Sequence, residues 1–125
     1  MSKYRNVKTV VDGITFDSRK EADYYLYLKQ LQDNGGITNL QRQVPFEIIP
    51  GVWKDEVVHL KTKDKVVSRC LQRPTYYVAD FVYIVKSTGQ REVVDVKSAI
   101  TRKNAEYRLK KKMMLAFNGI AVIEV

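Results

Sequence analysis

The sequence predicts an α/β (α+β) fold, in which a central mixed β-sheet is flanked by two helices and carries a β-hairpin insertion. Two runs rich in Val, Ile, Tyr and Phe, residues 76–85 and 92–97, have the composition of paired strands. Two segments with helix-start and helix-stop signals, residues 18–33 and 101–117, flank that pair along the chain. A final apolar run, residues 120–125, is expected to return as a parallel strand, because a helix precedes it.

The chain is expected to begin with a small hairpin and a helix. Asp12-Gly13 is a tight-turn signal in the middle of residues 9–16. Ser18, followed three residues later by Glu21, is the capping-box pattern that begins a helix. Asn34 and the two glycines after it are typical of a helix end.

A strand and an insertion are expected next. Residues 40–49 alternate like a strand, and Pro45 predicts an edge strand or a bulge because proline cannot donate to a ladder. Residues 51–74 contain two short β-like runs, 57–60 and 66–67, separated by a basic stretch. We expect an exposed basic hairpin, or flap, that is inserted before the central pair of strands.

The two central strands bring acidic residues together if a four-residue loop joins them. When Val85 pairs with Gln90, Asp80 lies directly opposite Asp95. Like charges at directly opposed positions repel each other. Lys97 lies two residues beyond Asp95 and therefore projects from the same face. A divalent cation would neutralise this patch, and carboxylate oxygens are ligands that suit Mg²⁺.

The second helix is expected to start at Thr101 as its N-cap and to end at Asn118-Gly119. Residues 120–125 are nearly all apolar, which predicts a strand in the sheet interior. The helix carries an apolar stripe with spacings i, i+4, i+8, i+11 and i+12, which predicts its core-facing side. The stripe consists of Ala105, Leu109, Met113, Ala116 and Phe117.

Composition limits the classes of function. The length of 125 residues fits one domain, 1–125, and the net charge of +8 favours a polyanionic partner such as nucleic acid. Cys70 and His59 are the only residues of their types, which excludes a disulfide framework and a Cys/His zinc site. No secretory signal or membrane span is expected. A single thiol is typical of a reducing compartment, and we expect a cytoplasmic protein.

Asp80 followed by Asp95-Val96-Lys97, with Glu21 on a preceding helix, resembles the motif of the PD-(D/E)XK nuclease superfamily. Ala79 stands where the family name has Pro. The pattern Gly-Ile-x-Phe-Asp-Ser-x-x-Glu-Ala at residues 13–22 is similar to a small phage- and prophage-borne family within it, related to Holliday-junction-resolving endonucleases. Two further parts of that pattern are Gln43-x-x-Phe46 and Tyr77-x-Ala-Asp-Phe81. The resemblance implies a restriction-endonuclease-like core and covers most of the chain apart from residues 51–74.

The resemblance also implies the roles of individual residues. Glu21, Asp80, Asp95 and Lys97 would be catalytic. Asp80, Asp95, the Val96 carbonyl and Glu21 would hold Mg²⁺ or Mn²⁺, and Lys97 would orient the attacking water. A basic set after the Lys97 strand would grip the DNA backbone without reading sequence. This set comprises Arg102, Lys103, Arg108, Lys110 and Lys111.

Each of these roles has a structural alternative. Taken alone, Glu21 is better interpreted as a capping-box residue and nothing more, and only the other site residues favour a role for it as a ligand. Asp80 and Lys97 have the spacing of a diagonal cross-strand salt bridge. Gln43 is either a side chain that approaches the site from the neighbouring strand or an exposed polar strand residue.

The predicted function is a Mg²⁺-dependent DNA endonuclease that hydrolyses phosphodiester bonds. Branched or double-stranded recombination intermediates such as Holliday junctions are the expected substrates, in a host bacterial cytoplasm if the chain is phage-encoded. Symmetric cutting of paired strands would call for a homodimer. Two alternatives remain open: a catalytically inactive nuclease-fold protein that binds DNA, and an interaction protein whose basic helix meets an acidic partner.

Overall fold

The computed structural model describes residues 8–125. In this part of the chain, the elements follow the predicted order of hairpin, helix, strand, insertion, two strands, helical segment and strand. They are β1 (Thr9–Val11), β2 (Ile14–Phe16), α1 (Arg19–Asp33), β3 (Ile37–Ile49), β4 (Val52–His59), β5 (Asp64–Gln72), β6 (Thr75–Val85), β7 (Arg91–Asp95), α2 (Ala99–Arg102), α3 (Ala105–Asn118) and β8 (Ile123–Glu124).

Four strands form a mixed sheet in the order β3-β6-β7-β8. β6 pairs antiparallel with both β3 and β7, whereas β8 pairs parallel with β7. The predicted mixed α+β class and the parallel crossover are therefore confirmed. Pro45 lies on β3 at the sheet edge, where its missing N–H costs no ladder bond, as predicted.

The prediction of an interior final strand is wrong, because β8 is the other edge of this sheet and has only two residues. The apolar residues just before it serve a different purpose. Val122 is buried in the core on the α3 side, and Ile120 packs against that core. Packing of Ile120 and Val122 on the α3 side and of Val125 on the α1 side, rather than a position between two strands, accounts for much of the apolar composition of this segment.

Each face of the sheet carries one core. The α1-side core contains Phe16, Leu28 and Phe81, among others. The α3-side core contains Ala79 and Met114, among others. Both cores use side chains from β6 and β7, so these two strands are the centre of the molecule.

The first helix forms for the reasons that its sequence suggests. The Ser18 hydroxyl accepts a hydrogen bond from the Glu21 N–H at 3.1 Å, which satisfies one of the helix's free amide groups. Ala22, Tyr25 and Leu28 lie three residues apart and are buried against the sheet. Asn34 is the C-cap.

The second helical segment differs from the prediction, because it consists of two helices. Ser98, and not Thr101, caps α2, since its side chain accepts from the Thr101 N–H. Asn104 caps α3 in the same way by accepting from the Tyr107 N–H at 3.0 Å. A polar side chain that can accept a bond at each start makes two short helices possible where one was expected.

The predicted core-facing side of this helix is also wrong. Tyr107 and Met114, seven residues apart, are the buried residues of α3. Leu109 is 56% exposed and Phe117 is 63% exposed, so most of the apolar stripe faces away from the sheet. Met113, at its edge, is half-buried and packs against the α3-side core. Tyr107 fixes this orientation, because its ring packs under the Lys97 ammonium with 4.9 Å between nitrogen and ring centroid.

The predicted insertion is a two-stranded antiparallel hairpin, β4–β5, that forms a sheet of its own. Its strands are longer than the short runs expected at 57–60 and 66–67. They pair continuously from Trp53 opposite Cys70 to His59 opposite Asp64. Separately, no helix within residues 8–125 is long and apolar enough to cross a membrane.

Candidate active site

Asp80 and Asp95 face each other as the loop length predicted. β6 and β7 pair Phe81 with Val94 and Val82 with Val93, and one further step places Asp80 opposite Asp95. The Val85 N–H donates to the Gln90 carbonyl at 2.9 Å, which closes the four-residue loop that sets this register. The Val96 N–H then donates to Asp80 Oδ2 at 2.9 Å and joins the two strands beyond their last paired residues.

At Asp80, the side chains of β6 change the face of the sheet on which they lie. Ala79 belongs to the α3-side core, but Phe81, two residues later, belongs to the α1-side core. Residues two apart in a regular strand share a face, so the alternation is reversed at Asp80. Such irregularities redirect side chains and are frequent beside active sites.

β3 makes the same reversal opposite Asp80. Arg42 lies over the Phe16 ring on the α1 side, whereas Val44 packs against the α3-side core. Gln43 between them has a φ of +50°, a left-handed conformation that is unfavourable for a residue with a side chain. Arg42 pairs with Phe81 and Val44 with Ala79, so Gln43 is opposite Asp80.

Gln43 connects two carboxylates of the predicted site. Its amide nitrogen donates to Asp80 Oδ1 at 3.2 Å and to Glu21 Oε1 at 3.3 Å. Glu21 is buried, and Arg42 Nη2 lies 4.0 Å from the same oxygen. The Glu21 N–H donates to the Ser18 hydroxyl at the helix start, whereas the Glu21 carboxylate is directed into the site. Gln43 therefore approaches the site from the neighbouring strand, and it is at the same time an exposed strand residue.

Asp95 is the most buried member of the group, with 1% of its surface exposed. The Tyr77 hydroxyl donates to Asp95 Oδ2. The other oxygen, Oδ1, is buried without a hydrogen-bond partner, and the nearest cation is Lys97 Nζ at 3.8 Å. Lys97 therefore associates with Asp95, and the diagonal Asp80–Lys97 bridge is not what the strands form.

The site favours protonated carboxyl groups when no cation is bound. Burial, and then the nearby Asp80 charge, raise the pKa of Glu21 to about 7. Burial, followed by hydrogen bonding with Asp80 and its charge, raises the pKa of Asp95 as well. A compact group of carboxylates with raised pKa values is typical of functional sites.

The backbone around Lys97 is held from two directions. Its N–H donates to the Val125 carbonyl at 3.1 Å, and its own carbonyl accepts from Lys20 Nζ at 3.0 Å. A cleft of about 260 Å³ opens here between α1 and the β6–β7 pair. Its lining includes Glu21, Asp80, Val96 and Lys97. Asp95 borders a neighbouring cleft instead, which it shares with Tyr77, and Lys97 lines both clefts.

The predicted DNA-contacting residues are only partly free for an anion. Arg102 and Lys111 both pair with Glu124, and Lys110 pairs with Glu106 at 3.3 Å. Within residues 8–125, Arg108 and Lys103 make no ion pair. Solvent-exposed ion pairs contribute little free energy, so the paired cations can exchange carboxylate for phosphate. Three of the set also border a basic cleft of about 470 Å³ beside β8: Arg102, Arg108 and Lys111, joined by Lys112.

The raised pKa of Glu21 predicts an unusual pH dependence of stability in the metal-free protein. The folded state binds this proton more tightly than the unfolded state, whose pKa is near 4.5. Stability should therefore fall as pH rises from about 4.5 to about 7, by on the order of 2 kcal/mol. Asp95 acts in the same direction, whereas Arg42 and Lys97, which also face Glu21, weaken the effect.

Urea unfolding in chelator from about pH 5 to about pH 8 measures this slope. The Glu21→Gln variant should flatten it and be the more stable protein at the alkaline end. Glu106→Gln, which alters an exposed glutamate on α3, is the matched control and should keep the wild-type slope. An unchanged slope in Glu21→Gln would show that this carboxyl is not titrating in the site.

The roles of two contributors to the site have no clear signal in the sequence. Tyr77 belongs to the pattern Tyr77-x-Ala-Asp-Phe81, but only the fold places its hydroxyl on Asp95. Arg42 lies in a strand with ordinary alternation, and its approach to Glu21 depends on the reversal at Gln43. Both contacts join residues far apart in the chain, so local patterns do not reveal them.

Fold and site together define a small mixed α+β domain with buried carboxylates at the rung where two strands change faces. Comparison with protein families assigns the chain further, because a family model described as "Protein of unknown function (DUF1064)" matches residues 1–121. The chain therefore belongs to the DUF1064 family. No curated protein and no solved structure matches it.

Proposed function

We propose that this protein is a metal-dependent endonuclease of the PD-(D/E)XK type, which hydrolyses phosphodiester bonds in DNA on a restriction-endonuclease-like core. One observation carries the proposal: three carboxylates and a lysine lie close together between two apolar cores. They are Glu21, Asp80, Asp95 and Lys97. Burial of carboxylates beside one another is costly without a compensating cation. A catalytic role gives a reason for that cost.

The donor set fits Mg²⁺ or Mn²⁺. Asp95 Oδ1 is a buried oxygen without a hydrogen-bond partner, and the pKa values of Glu21 and Asp95 are raised, as expected where positive charge is missing. Residues 8–125 include no preformed group of three His, Cys, Asp or Glu side chains around one point. Gln43 explains this, because its amide donates to both Glu21 and Asp80 and holds them apart. Asp80, Asp95, the Val96 carbonyl and Glu21 would be the ligands.

The chemistry that a divalent cation supplies at such a site is Lewis acidity toward a phosphate oxygen and an attacking water. The chain provides the remaining functions. The Lys97 ammonium, fixed by its backbone bonds and by the Tyr107 ring, would orient the water and offset negative charge in the transition state. Tyr77 would keep Asp95 in position through the hydrogen bond to Oδ2.

The net charge of +8 and the basic cleft beside β8 support DNA as the substrate. Contacts from lysine and arginine to phosphates position a duplex without reading its sequence. We therefore propose structure-selective cleavage, with branched recombination or replication intermediates such as four-way junctions as the first candidates.

The test is a panel of end-labelled linear, flapped and four-way-junction DNAs incubated with Mg²⁺, with wild type beside Asp95→Asn. Wild type should cut at least one substrate, and the variant should lose at least about 10²-fold in rate. Glu92→Gln is the matched control. Glu92 is an acid on the same strand as Asp95, but its carboxylate accepts a hydrogen bond from the Tyr83 hydroxyl and lies away from the cleft.

Three results would remove the proposal. If no substrate is cut, but DNA binding is tight and falls steeply with salt, the protein is a nuclease-fold binding protein. If Asp95→Asn cuts as well as wild type, the site lies elsewhere. Absence of both DNA binding and Mn²⁺ binding would instead favour an interaction protein with an acidic partner.

A further inference from the structure

The first of two uncovered apolar surfaces is the outward side of α3. We call it the outer α3 face, and it consists of the stripe at Ala105, Leu109, Met113, Ala116 and Phe117. Leu109 and Phe117 are more than half exposed, and the two alanines are exposed as well. Within residues 8–125, Met113 at the edge of the stripe is half-buried against the α3-side core, and the other four side chains are exposed. A large contiguous apolar patch on a protein surface marks an interaction site, whereas single exposed apolar residues are normal.

The second surface is one side of the β4–β5 hairpin. Directly opposed residues share a face, so Trp53 with Cys70 and Val57 with Val66 project from the same side. Trp53, Val57 and Val66 are each more than half exposed. We call this side the hairpin outer face. A two-stranded hairpin by itself is marginally stable in water, so covering this face would stabilise it.

The charges on the two sides of the hairpin differ. The outer face carries Asp55 and the His59–Asp64 pair, and it has no lysine or arginine. The opposite side carries Lys54, Lys65 and Arg69, together with Glu56, which pairs with Arg69. Carboxylates among apolar residues disfavour contact with DNA and favour a basic protein surface.

The outer α3 face has the complementary charge. Arg108 and Lys112 lie three residues after Ala105 and Leu109 and therefore border the stripe. The lengths also match, since eight strand residues and fourteen helix residues both span roughly 20–27 Å. One chain thus carries two uncovered surfaces that fit each other in polarity, charge and length.

We propose that two copies of this chain exchange hairpins, so that the hairpin outer face of each copy packs on the outer α3 face of the other. Such a two-fold arrangement makes the same contact twice. Because both surfaces of both copies are then covered, the assembly is closed at the dimer. Residues 1–7 are a poor alternative cover, because they include Lys3 and Arg5 and no acid, and the rim of the stripe is basic. The proposal does not depend on the nuclease function.

Cys70 provides a direct test, because it is the only cysteine and lies exposed on the hairpin outer face. Ala105→Cys and Ala116→Cys place a second thiol at either end of the outer α3 face. Mild oxidation should link at least one of these variants into a covalent dimer through Cys70. The link should disappear when Cys70→Ser is added. Ser87→Cys, in the exposed β6–β7 loop, is the control and should remain unlinked.

Sedimentation measures the exchange without cross-linking. Wild type should be a dimer, and Val57→Asp or Phe117→Asp should each weaken dimerisation at least tenfold. A mixture of these two variants should recover part of the dimer, because one hairpin–helix contact then consists of wild-type surfaces only. Lys112→Asp should also weaken the dimer, and adding Asp55→Lys should restore it. Circular dichroism verifies that each variant is folded.

Several outcomes would overturn the exchange. A wild-type monomer at high concentration would do so, and it would direct attention to a different protein as the occupant. Linking of Ala116→Cys in the Cys70→Ser background would indicate a helix-to-helix dimer. Linking of wild type through Cys70 alone would indicate a hairpin-to-hairpin dimer. Loss of dimer with cleavage intact in Val57→Asp or Phe117→Asp, or the reverse, separates this inference from the proposed function.

Discussion

Replacing Lys97 by methionine is expected to lower kcat for Mg²⁺-dependent DNA cleavage by about 10²–10³-fold, with little change in KM. Methionine keeps an unbranched stem, but it removes the ammonium that lies over the Tyr107 ring and 3.8 Å from Asp95 Oδ1. The lost charge acts on the transition state more than on bound substrate, so the rate of the chemical step should fall. Single-turnover cleavage of the best substrate, with Mn²⁺ binding measured in parallel, tests this.

Lys20→Met is the matched control. Lys20 borders the same cleft, but its ammonium donates to the Lys97 carbonyl, and it lies in an exposed position on α1. Its loss should mainly raise KM through a weaker phosphate contact, and kcat should change only a few-fold. Equal losses of kcat in both variants would indicate a general effect of charge on DNA binding and would contradict a specific role for Lys97.

Met114→Ala is expected to destabilise the protein by about 3 kcal/mol, whereas Leu109→Ala should cost less than about 1 kcal/mol. Met114 is completely buried in the α3-side core, and truncating it leaves a cavity. Leu109 is 56% exposed on the same helix, so its removal leaves no cavity, and alanine is the better helix former.

Urea unfolding at a protein concentration low enough to keep the chain monomeric measures both variants, since Leu109 belongs to the proposed dimer surface. The opposite ranking would mean that the stripe of residues 105–117 faces the core after all. Equal and large losses would mean that both sides of α3 are buried in the monomer.

Local patterns sufficed for the central pair of strands. The four-residue loop between Val85 and Gln90 fixes the register, because its length determines which residues of the two arms lie opposite each other. The capped start of α1 was equally predictable, since Ser18 and the Glu21 N–H are neighbours in sequence.

Local patterns misled at α3 because hydrophobic periodicity identifies an apolar side without identifying what covers it. Both sides of α3 carry apolar residues. Tyr107 and Met114 face the sheet, and Leu109 and Phe117 face outward. The choice between the sides is made by the Asn104 cap and by Tyr107, which packs beneath Lys97 from another element.

The sequence by itself determined the order of elements, the mixed α+β class and the opposition of Asp80 and Asp95, because each depends on residues close together in the chain. Only the tertiary structure decided that β6 and β3 reverse their faces together at Asp80 and Gln43. That reversal directs the Gln43 amide to Asp80 and Glu21, which come from separate elements. The physical reason is that the same strands supply side chains to two cores on opposite faces of the sheet. Asp80 and Gln43 lie at the position where these strands change from one core to the other.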